Sequence, residues 1–565
     1  MSPVKSFPKL DRAVNDVAER REHWLRLPLA MKIEYARGIL EGTVRVAHGQ
    51  VEAATQAKGV SLDSPLAGED WISGPYVTIR VLRLLIRTLE QLRQRGRVVI
   101  DPKNIRQRSD GQLAVEVFPL STFDRLFYRG FHAEVWMQPE VTRENLSEYV
   151  GSIYGKGAPS IGKVALVLGA GNVASIAPLD VVHKLFFENQ VSVLKLNPVN
   201  DYLGPFIEDA FRDLIRDGYL RVVYGGGEEG AHLCQHPQVD EIHITGSNQT
   251  HDLIVYGSGT EGLARKAGGT PLLDKRITSE LGNVSPVVVL PGEWSQADLR
   301  FQAEDLATQM AQNAGFNCNA AKVIVTHEEW PQRREFLDEL RGVLRALPRR
   351  PAYYPGAEDR YEHFLDAHPG AENFGLREPG FVPPTLAVGL DPEDREQLAF
   401  TTESFCSFTA ETALPGRDLQ DFLANAASFC NGTLHGTLNA GLKVHPSTER
   451  ELGPELEDAV AGLRYGTVSI NHWSAIGFAL GSTPWGAFPG HTLDDVQSGI
   501  GSVHNTFLFD RPQKSVISGP FRVFPLPPWF VTHKNSHRVG ERLTMFEAEP
   551  GWARVPGILA QAIRG

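Results

Sequence analysis

The chain has 565 residues, of which 42% are hydrophobic and 22% are charged, so it can form an extensive buried core and is not a disordered segment. Its formal net charge is −12, which argues against a protein that coats nucleic acid, because phosphate binding requires a basic surface. The N-terminus has no apolar segment typical of a signal peptide, and no run approaches the roughly 20 apolar residues that span a bilayer. We therefore expect a cytoplasmic protein with neither nucleic-acid nor membrane partners.

Cysteine usage agrees with a reducing compartment. The four cysteines are Cys234, Cys318, Cys406 and Cys430, and no two of them form a C-x-x-C pair. This spacing suggests neither a zinc site nor a disulfide framework, and we assign no metal.

The first part of the chain has an irregular pattern. Residues 10–95 have the charged faces and apolar stripes of helices, and GRVVIDPKN, QLAVEVFPLS and HAEVWMQP resemble short strands. We find no recognisable chemistry here and expect these residues to pack against the domain that follows.

From residue 163 the pattern becomes regular. The apolar segments KVALVL, VSVLKLN, LRVVYG and DEIHITG alternate with stretches in which apolar residues recur at helical spacing. This alternation predicts a parallel sheet with helices on both faces. Further on, SPVVVLPG and AKVIVT are predicted strands on either side of a helix near 299–312. Residues 340–400 are interpreted as surface elements, and 465–505 as structured loops.

The turn after the first of these strands is rich in glycine. It contains Gly169, Ala170, Gly171 and Asn172, and such a turn lets backbone N–H groups approach a phosphate near a helix N-terminus. The dinucleotide fingerprint is incomplete, because position 174 is alanine and no acidic residue ends the second strand. A nucleotide site and a merely tight turn therefore both remain open.

Two other strand ends carry candidate ligand-binding groups. Lys195 ends the second strand, where it could contact a ribose or a phosphate, or could simply be solvated. Gly246 and Ser247 follow the fourth strand; glycine allows close approach of the backbone, whereas the serine could equally be an ordinary helix cap.

Two residues have the chemistry of a nucleophile and a base. Cys318 lies in QNAGFNCNAA, between a helix and a strand, among small and amide side chains rather than in an apolar core. Glu280 lies in TSELGNVSP, just ahead of a buried strand, where burial would raise the pKa of a carboxyl group. Taken singly, a structural cysteine and an exposed glutamate are the more common interpretations.

Taken together and in order, these segments resemble the aldehyde dehydrogenase superfamily. The resemblance is carried by GAGN ending at Asn172, KLNP beginning at Lys195, ITGS, SELGNVSP, QNAGFNC ending at Cys318, TESFCSF and TPWGAFPG, which together span about 170–500. It implies an α/β fold with a Rossmann-like cofactor domain, an α/β catalytic domain and a small β extension used for oligomers. We expect 1–282 to contain the N-terminal helices and the cofactor domain, 283–500 the catalytic domain, and 501–565 a returning strand and tail.

The resemblance also implies roles for individual residues. Cys318 would attack the aldehyde carbonyl, Asn172 would stabilise the oxyanion and Glu280 would activate the water that releases the acid. The cofactor, NAD or NADP, would be held by a set of residues that comprises Lys195, Gly246, Ser247, Glu403, Phe405 and Gly171.

This sequence also departs from the family pattern. Pro198 replaces an acid that often disfavours NADP, which leaves both cofactors open, and Cys406 replaces a glycine, which we expect to bring a thiol close to the cofactor ribose. The stretch between Gly246 and Glu280 is longer than usual, and the first 150 residues match only loosely.

The substrate is expected to be a small aldehyde, and the partner a second copy of the chain in a homodimer or tetramer. The segment NHWSAIGFALGSTPWGAF would border the substrate tunnel, and its large apolar side chains, foremost Trp473 and Phe478, suggest a hydrophobic aldehyde. These aromatics could instead pack the seam between domains.

Two other enzyme classes and an inactive scaffold compete with this assignment. In a coenzyme A-acylating enzyme coenzyme A would resolve the thioester, but such relatives often lack the base, so Glu280 favours hydrolysis. A cysteine hydrolase or acyltransferase would need a histidine partner for Cys318, and none of the 18 histidines lies in a recognisable motif. A silent scaffold would have no reason to retain Cys318, Glu280 and Asn172 together.

Overall fold

The structure, a computed structural model that describes residues 6–565, contains in that range two large β-sheets, a two-stranded sheet and the helices that cover them. The smaller sheet contains the four strands predicted between 163 and 246, and all four are parallel. In spatial order its six strands within residues 6–565 are Gly499–Ile500, Arg276–Leu281, Glu241–Gly246, Val164–Leu168, Val191–Lys195 and Leu220–Val223.

The strand order reverses beside Val164–Leu168. The chain first adds Val191–Lys195 and Leu220–Val223 on one side, and then returns to add Glu241–Gly246 and Arg276–Leu281 on the other. A crevice opens beyond the carboxyl ends of the strands at such a reversal, and ligands of open α/β sheets bind there.

Short helices link these strands. They are Ile176–Val182 with its continuation His183–Phe187, Gly204–Ala210, Arg212–Arg216 and Gly227–Gln235. The long stretch before Glu280 folds into two further helices, Asn248–Tyr256 and Gly259–Ala267, after which the chain returns to the sheet at Arg276.

The larger sheet has eleven strands in the described chain. In spatial order they are Ile105–Gln107, Leu113–Phe118, His132–Met137, Pro512–Ser518, Thr467–Ile470, Asn439–Lys443, Ser285–Val289, Ala321–His327, Phe408–Leu414, Thr385–Leu390 and Glu372–Asn373. The strands from Pro512–Ser518 to Thr385–Leu390 are parallel, and the outer ones are antiparallel. Our interpretation of 340–400 as surface elements is wrong for Thr385–Leu390, because this strand pairs with Phe408–Leu414 and its first three residues are buried.

Helices cover both faces of the larger sheet. They are Gln296–Ala311, Arg333–Ala346, Ala357–Ala367, Leu398–Thr401, Leu419–Gly432, Pro446–Leu452, Pro454–Gly462 and Ala475–Leu480. The apolar sides of the first seven form two clusters with the sheet, one on each face, whereas Ile476 and Leu480 of the last belong to the cluster that includes the smaller sheet. A small antiparallel pair of strands, Trp485–Gly486 and Ser502–Val503, lies beside Glu280.

The N-terminal helices pack on the smaller sheet, as expected. They are Pro8–Ala18, Arg21–Arg26, Leu29–Ala57, Ala67–Trp71 and Val77–Arg95, with a kinked turn at Ile72–Tyr76. Trp24 is fully buried against Phe186 and Tyr219, and its indole N–H donates to the Leu185 carbonyl at 3.1 Å. Burying an aromatic ring of this size stabilises the contact by about 1.5–3 kcal/mol.

The strands at 105–137 instead extend the larger sheet, because His132–Met137 pairs with Pro512–Ser518. The last helices, Ser536–Ala548 and Val555–Ala562, return to the N-terminal helices, where Glu547 pairs with Arg80 and Arg83. The helix Ser536–Ala548 therefore packs against Ala67–Trp71 and Val77–Arg95. The division at 282 and 500 stays a prediction. In the part of the chain that the structure describes, no helix is both long and apolar enough to cross a membrane.

Candidate active site

Two cavities meet at the residues predicted to be catalytic. The larger, of about 1160 Å³, extends from the carboxyl ends of the smaller sheet to Cys318, and exceeds the roughly 300–1,000 Å³ typical of ligand sites. The smaller, of about 100 Å³, lies against the N-terminal and C-terminal parts of the chain. Cys318, Glu280 and Asn172 line both cavities, so the reaction centre predicted from the sequence is a place where two different ligand groups could meet.

The turn that carries Cys318 has an unusual backbone. It follows the helix Gln296–Ala311, and three successive residues adopt left-handed φ angles: 54° at Asn313, 55° at Ala314 and 78° at Gly315. Such a conformation costs on the order of 1–3 kcal/mol at a non-glycine residue and persists only where the surroundings hold it. A side chain at Gly315 would lie 2.5 Å from the backbone of Cys406, so this position requires glycine.

The carboxyl group of Glu280 is near enough to the Cys318 thiol for each group to affect the pKa of the other, although Glu280 Oε1 has no hydrogen-bond partner among the described residues. Burial raises the pKa of Glu280 to about 7; the Cys318 thiol and the Trp485 indole oppose the rise, and Asp180 adds to it. Burial, followed by the charge of Glu280, raises the pKa of Cys318 well above its usual value. The resting cysteine is therefore a thiol, and the base that can remove its proton at neutral pH is the neighbouring Glu280.

The side chain of Asn172 is fixed by one hydrogen bond. Its Nδ2 donates to the Phe316 carbonyl at 2.9 Å, and the residue is 8% exposed at the junction of the cavities. An amide nitrogen carries two protons, so one remains to bind a developing oxyanion.

Glu403 lines the larger cavity and is partly exposed. The backbone N–H of Asn283 donates to its carboxyl group, yet its Oε1 has no hydrogen-bond partner among the described residues. Burial raises the pKa of Glu403 to about 7, and the Lys322 ammonium opposes the rise. A Cβ at Gly282 would lie 2.1 Å from Glu403 Oε2, so only glycine leaves room for this carboxylate.

Phe405 also lines the larger cavity, with a φ of 41°. It packs on Phe316 and Tyr354, with ring centroids 5.9 Å and 5.0 Å away. Our expectation that Cys406 lies close to the ribose is wrong: this residue is fully buried, it is not among the residues lining the cavity, and its backbone covers Gly315.

The remaining cofactor residues lie at the other end of the larger cavity. Lys195, Gly246 and Ser247 line it, and burial lowers the pKa of Lys195 against the opposing charge of Glu229. Ser247 is also the cap of the helix Asn248–Tyr256, because its Oγ accepts from the Thr250 N–H at 3.2 Å.

Gly171 is placed differently from the other cofactor residues. It is not among the residues that line the cavity, although its neighbours Ala170 and Asn172 are. A Cβ here would lie 2.8 Å from Asn197 Oδ1 and Val199 Cβ, so the missing side chain lets the turn pack on the next loop. A contact of Gly171 with the cofactor stays a prediction.

Trp473 and Phe478 line the smaller cavity and also pack the structure around it. The Trp473 indole N–H donates to the Asn319 carbonyl at 2.8 Å, and Phe478 packs on His504 and Trp485. These two aromatic residues therefore line a cavity and also pack against neighbouring segments, so the geometry is compatible both with a substrate tunnel and with packing between domains.

Sequence reasoning missed the far wall of this cavity. It consists of Tyr76, Tyr128 and Trp529, in which the two tyrosine hydroxyls bond each other at 2.8 Å and Tyr128 stacks on Trp529. These residues come from both ends of the chain, and no local pattern links them.

Comparison with known proteins agrees with this geometry. The model of the aldehyde dehydrogenase family matches residues 182–352. The aminoacetaldehyde dehydrogenase of Pseudomonas aeruginosa is 26% identical over 291 residues, which are 48% of this chain; the chain spans about half (51%) of that relative's length.

Solved structures resemble the whole chain. The NADP-dependent glyceraldehyde-3-phosphate dehydrogenase of Bacillus halodurans, complexed with NADP, has a TM-score of 0.60 at 16% identity, with 92% of each chain covered. The lactaldehyde dehydrogenase of Escherichia coli has a TM-score of 0.59 at 16% identity, with 90% of each chain covered. At these identities the likeness establishes the fold.

Proposed function

Because this chain is a member of the aldehyde dehydrogenase superfamily, we propose that it oxidises a hydrophobic aldehyde to the carboxylic acid with NAD or NADP, through a thioester on Cys318. The observation that carries the proposal is the meeting of Cys318, Glu280 and Asn172 where a large cavity at the sheet ends joins a small apolar one. A nucleophile, a base and an oxyanion donor at one point are what acyl transfer requires.

The larger cavity has features that fit a dinucleotide. Glu403 Oε1 is a buried acceptor without a partner among the described residues, which a ribose hydroxyl would satisfy. The helix Gly227–Gln235 begins beside the cavity. A Cβ built at Gly227 or Gly230 meets nothing within 4 Å, so the start of this helix leaves open space in the cavity that Lys195 also lines. Lys195, Ser247 and Glu403 would hold the cofactor, whose nicotinamide supplies the hydride acceptor. NAD and NADP both remain in the proposal.

The first chemical step belongs to Glu280, Cys318 and Asn172. Glu280 takes the thiol proton, and the sulfur forms a bond to the carbonyl carbon while the carbonyl electrons move to oxygen. The free amide N–H of Asn172 and the backbone N–H of Cys318 stabilise that oxyanion, each by about 2.7–4 kcal/mol if they act like known donors. Loss of hydride from the carbon then leaves the thioester.

Release of the acid depends on Glu280 again. With a pKa near 7 it loses the proton taken from the thiol to solvent above neutral pH, and the regenerated carboxylate can take a proton from water as the water oxygen attacks the thioester carbon. The C–S bond breaks and the thiolate leaves. The group beside the thiol is thus a carboxylate, where a cysteine hydrolase would place a histidine.

The alternative, transfer of the acyl group to coenzyme A, is tested directly. We expect formation of NAD(P)H from an aldehyde at the same rate with and without coenzyme A, with free acid as the product, because Glu280 supplies the base for water. A strict requirement for coenzyme A, with acyl-CoA as product, would replace hydrolysis by acylation in this proposal.

The smaller cavity supports a hydrophobic substrate. Among the described residues that line it, Glu280 is the one carboxylate, and aromatic and aliphatic side chains form most of the wall. The hydroxyls of Tyr76 and Tyr128 bond each other, so the far wall offers little to a polar or cationic tail. Names of curated relatives refer to cationic aldehydes, including aminoacetaldehyde, but the described residues that line this cavity include no second carboxylate to pair with such a charge.

A substrate panel tests this point. We expect kcat/KM for benzaldehyde or hexanal to exceed that for acetaldehyde by about tenfold or more, because each added apolar group that enters the cavity contributes roughly 1 kcal/mol to binding. Steady-state rates with NAD and with NADP measure this preference. A preference for acetaldehyde, or for aminoacetaldehyde, would contradict the assignment of a hydrophobic substrate.

Assembly and location are also part of the proposal. We propose a homodimer or a tetramer, in which the antiparallel strands at 105–137 extend the larger sheet towards a second copy. A cytoplasmic location is supported by the four free cysteines. Sedimentation of the purified protein would give the oligomeric state.

A further inference from the structure

The side chain and backbone of Asn313 are tied to the N-terminal helices. Its backbone N–H donates to Glu69 Oε2 at 2.7 Å, and its Oδ1 accepts from Lys58 Nζ at 3.0 Å. Glu69 lies in the short helix Ala67–Trp71, and Lys58 directly follows the helix Leu29–Ala57. Residues more than 240 positions away in the sequence therefore hold the first left-handed residue of the nucleophile turn.

The two N-terminal groups are themselves fixed by opposite charges. Lys58 donates to Asp70 Oδ1 at 2.7 Å, and the second oxygen of Glu69 accepts from Arg350 Nη2 at 2.7 Å. The side chains of Lys58, Asp70, Glu69 and Arg350 are 12%, 5%, 15% and 8% exposed, so water screens these pairs only weakly. Lys58 is thus held by Asp70 and Glu69 by Arg350, so both give Asn313 a fixed hydrogen-bond partner.

On its other side Asn313 contacts the oxyanion residue. Its Nδ2 donates to the Asn172 carbonyl at 3.0 Å, and the Tyr353 hydroxyl lies 3.1 Å from that carbonyl and 3.0 Å from Asn313 Oδ1. Asn172 in turn donates to the Phe316 carbonyl, two residues before Cys318. One asparagine thus links the N-terminal helices, the glycine-rich turn and the nucleophile turn.

We propose that Glu69 and Lys58 are positioning residues for catalysis, which hold Asn313 so that the Cys318 turn and the amide of Asn172 keep their mutual geometry. The role rests on the proposed function of Cys318 and Asn172. It gives the N-terminal segment, whose sequence carries no recognisable motif, a part in the reaction without contact with the substrate.

The physical reason lies in the backbone of the turn. Asn313 and Ala314 are in a conformation that side chains with a Cβ disfavour, and it persists because hydrogen bonds from three directions fix Asn313. Without Glu69 the Asn313 N–H would lose its acceptor, and the turn would gain access to more relaxed conformations. Misplacement of reacting groups by about 1 Å can lower a rate by roughly 10²-fold.

The test compares Glu69→Ala with Glu69→Gln, whose amide oxygen can still accept from the Asn313 N–H. Asp217→Ala is the matched control, because Asp217 accepts from the Tyr35 hydroxyl at 2.6 Å and ties the same N-terminal region to the body far from the turn. Single-turnover formation of NADH from benzaldehyde reports the chemical step, and NADH titration reports cofactor binding. Hydrogen–deuterium exchange of the peptide over 312–318 reports the turn itself, with no need for activity.

We expect Glu69→Ala to lower the single-turnover rate by about tenfold or more, with the Kd for NADH changed less than about twofold and faster exchange over 312–318. Glu69→Gln should recover most of the rate, and Asp217→Ala should match the unsubstituted protein. If Glu69→Ala does not fold, Tyr353→Phe, which removes the hydroxyl donor that Asn313 and Asn172 share, should lower the same rate by about threefold or more with the same pattern of exchange.

The inference is overturned if Glu69→Ala, or Tyr353→Phe in its place, retains the rate and the exchange protection, or if the losses equal those of Asp217→Ala. A protein that oxidises no aldehyde contradicts the proposed function instead. In that case exchange over 312–318 alone decides whether Glu69 holds the turn.

Discussion

We expect replacement of Cys318 by alanine to abolish the proposed aldehyde oxidation and to leave cofactor binding intact. No other side chain at the junction of the two cavities can form the thioester: the described neighbours are a carboxyl group that acts as base and an amide. Loss of a covalent nucleophile removes the whole acyl-transfer route, so we expect a fall of roughly 10⁴-fold or more, to the limit of detection. Binding should persist, because Lys195, Ser247 and Glu403 are unchanged.

Steady-state NAD(P)H formation and fluorescence titration of NAD(P)H measure the two effects. Cys430→Ala is the control, since this thiol is buried in the helix Leu419–Gly432 and burial raises its pKa to about 12. It should retain turnover within about threefold. Measurable oxidation by Cys318→Ala above a mock preparation would show that the reaction does not pass through this sulfur.

Replacing Glu280 by glutamine should stop the reaction after the thioester has formed. The amide cannot accept a proton from water, so deacylation and steady-state turnover should fall by about 10²–10⁴-fold. The first step survives in part, because the charge and the hydrogen bonding of Glu280 are themselves causes of the raised pKa of Cys318. The expected signature is one equivalent of NAD(P)H per enzyme in a burst, followed by very slow turnover, in rapid-mixing experiments.

A burst with full subsequent turnover would mean that another base serves water, and the complete absence of a burst would limit Glu280 to activation of the thiol. Asp180→Asn is an instructive comparison, because Asp180 lies near Glu280 but bonds Thr245 and faces His243 instead of the thiol. This variant should shift the pH dependence of turnover downwards without producing a burst.

The same pKa gives the pH dependence of deacylation a definite sign. The active form of Glu280 is the carboxylate, and its pKa is raised to about 7, so the protonated, inactive form predominates below neutrality. We expect the deacylation rate to rise about tenfold per pH unit below pH 7 and to level off above it. The rising limb should disappear in Glu280→Gln; its persistence there would assign it to another group, for which Glu403 is a candidate.

Local sequence patterns predicted the fold of the smaller sheet well. Its strands are short apolar runs between glycine turns and helices, so burial on both faces appears directly in the sequence, as in KVALVL and DEIHITG. Cys318 and Glu280 became catalytic candidates through the family resemblance, because each of them taken singly is more commonly structural or exposed, and the structure places both at the same cavities. Lys195 and Ser247 could be placed at the carboxyl ends of strands from the apolar runs that precede them.

What the sequence could not show depends on contacts between distant segments. Trp529 and Tyr76 both line the far wall of the smaller cavity although they lie at opposite ends of the chain. Glu69 accepts a hydrogen bond from the Asn313 N–H and is paired with Arg350, and no sequence pattern near any of these residues indicates the contact. Cys406 was placed by resemblance next to the cofactor, yet the turn of Phe405 directs it into the core. The direction of the backbone over one or two residues decides which side chains face a cavity and which face the core. Hydrophobic periodicity in the sequence does not determine that direction.

Mass spectrometry of the acyl-enzyme tests the central claim most directly. Glu280→Gln, mixed with benzaldehyde and NAD or NADP, quenched in acid and digested, should carry a benzoyl group on the peptide that contains Cys318, with about one group per chain. The label should be absent when Cys318 is also replaced. A benzoyl group on Cys234, Cys406 or any other residue, or an unlabelled protein that has nevertheless formed NAD(P)H, would contradict oxidation through Cys318.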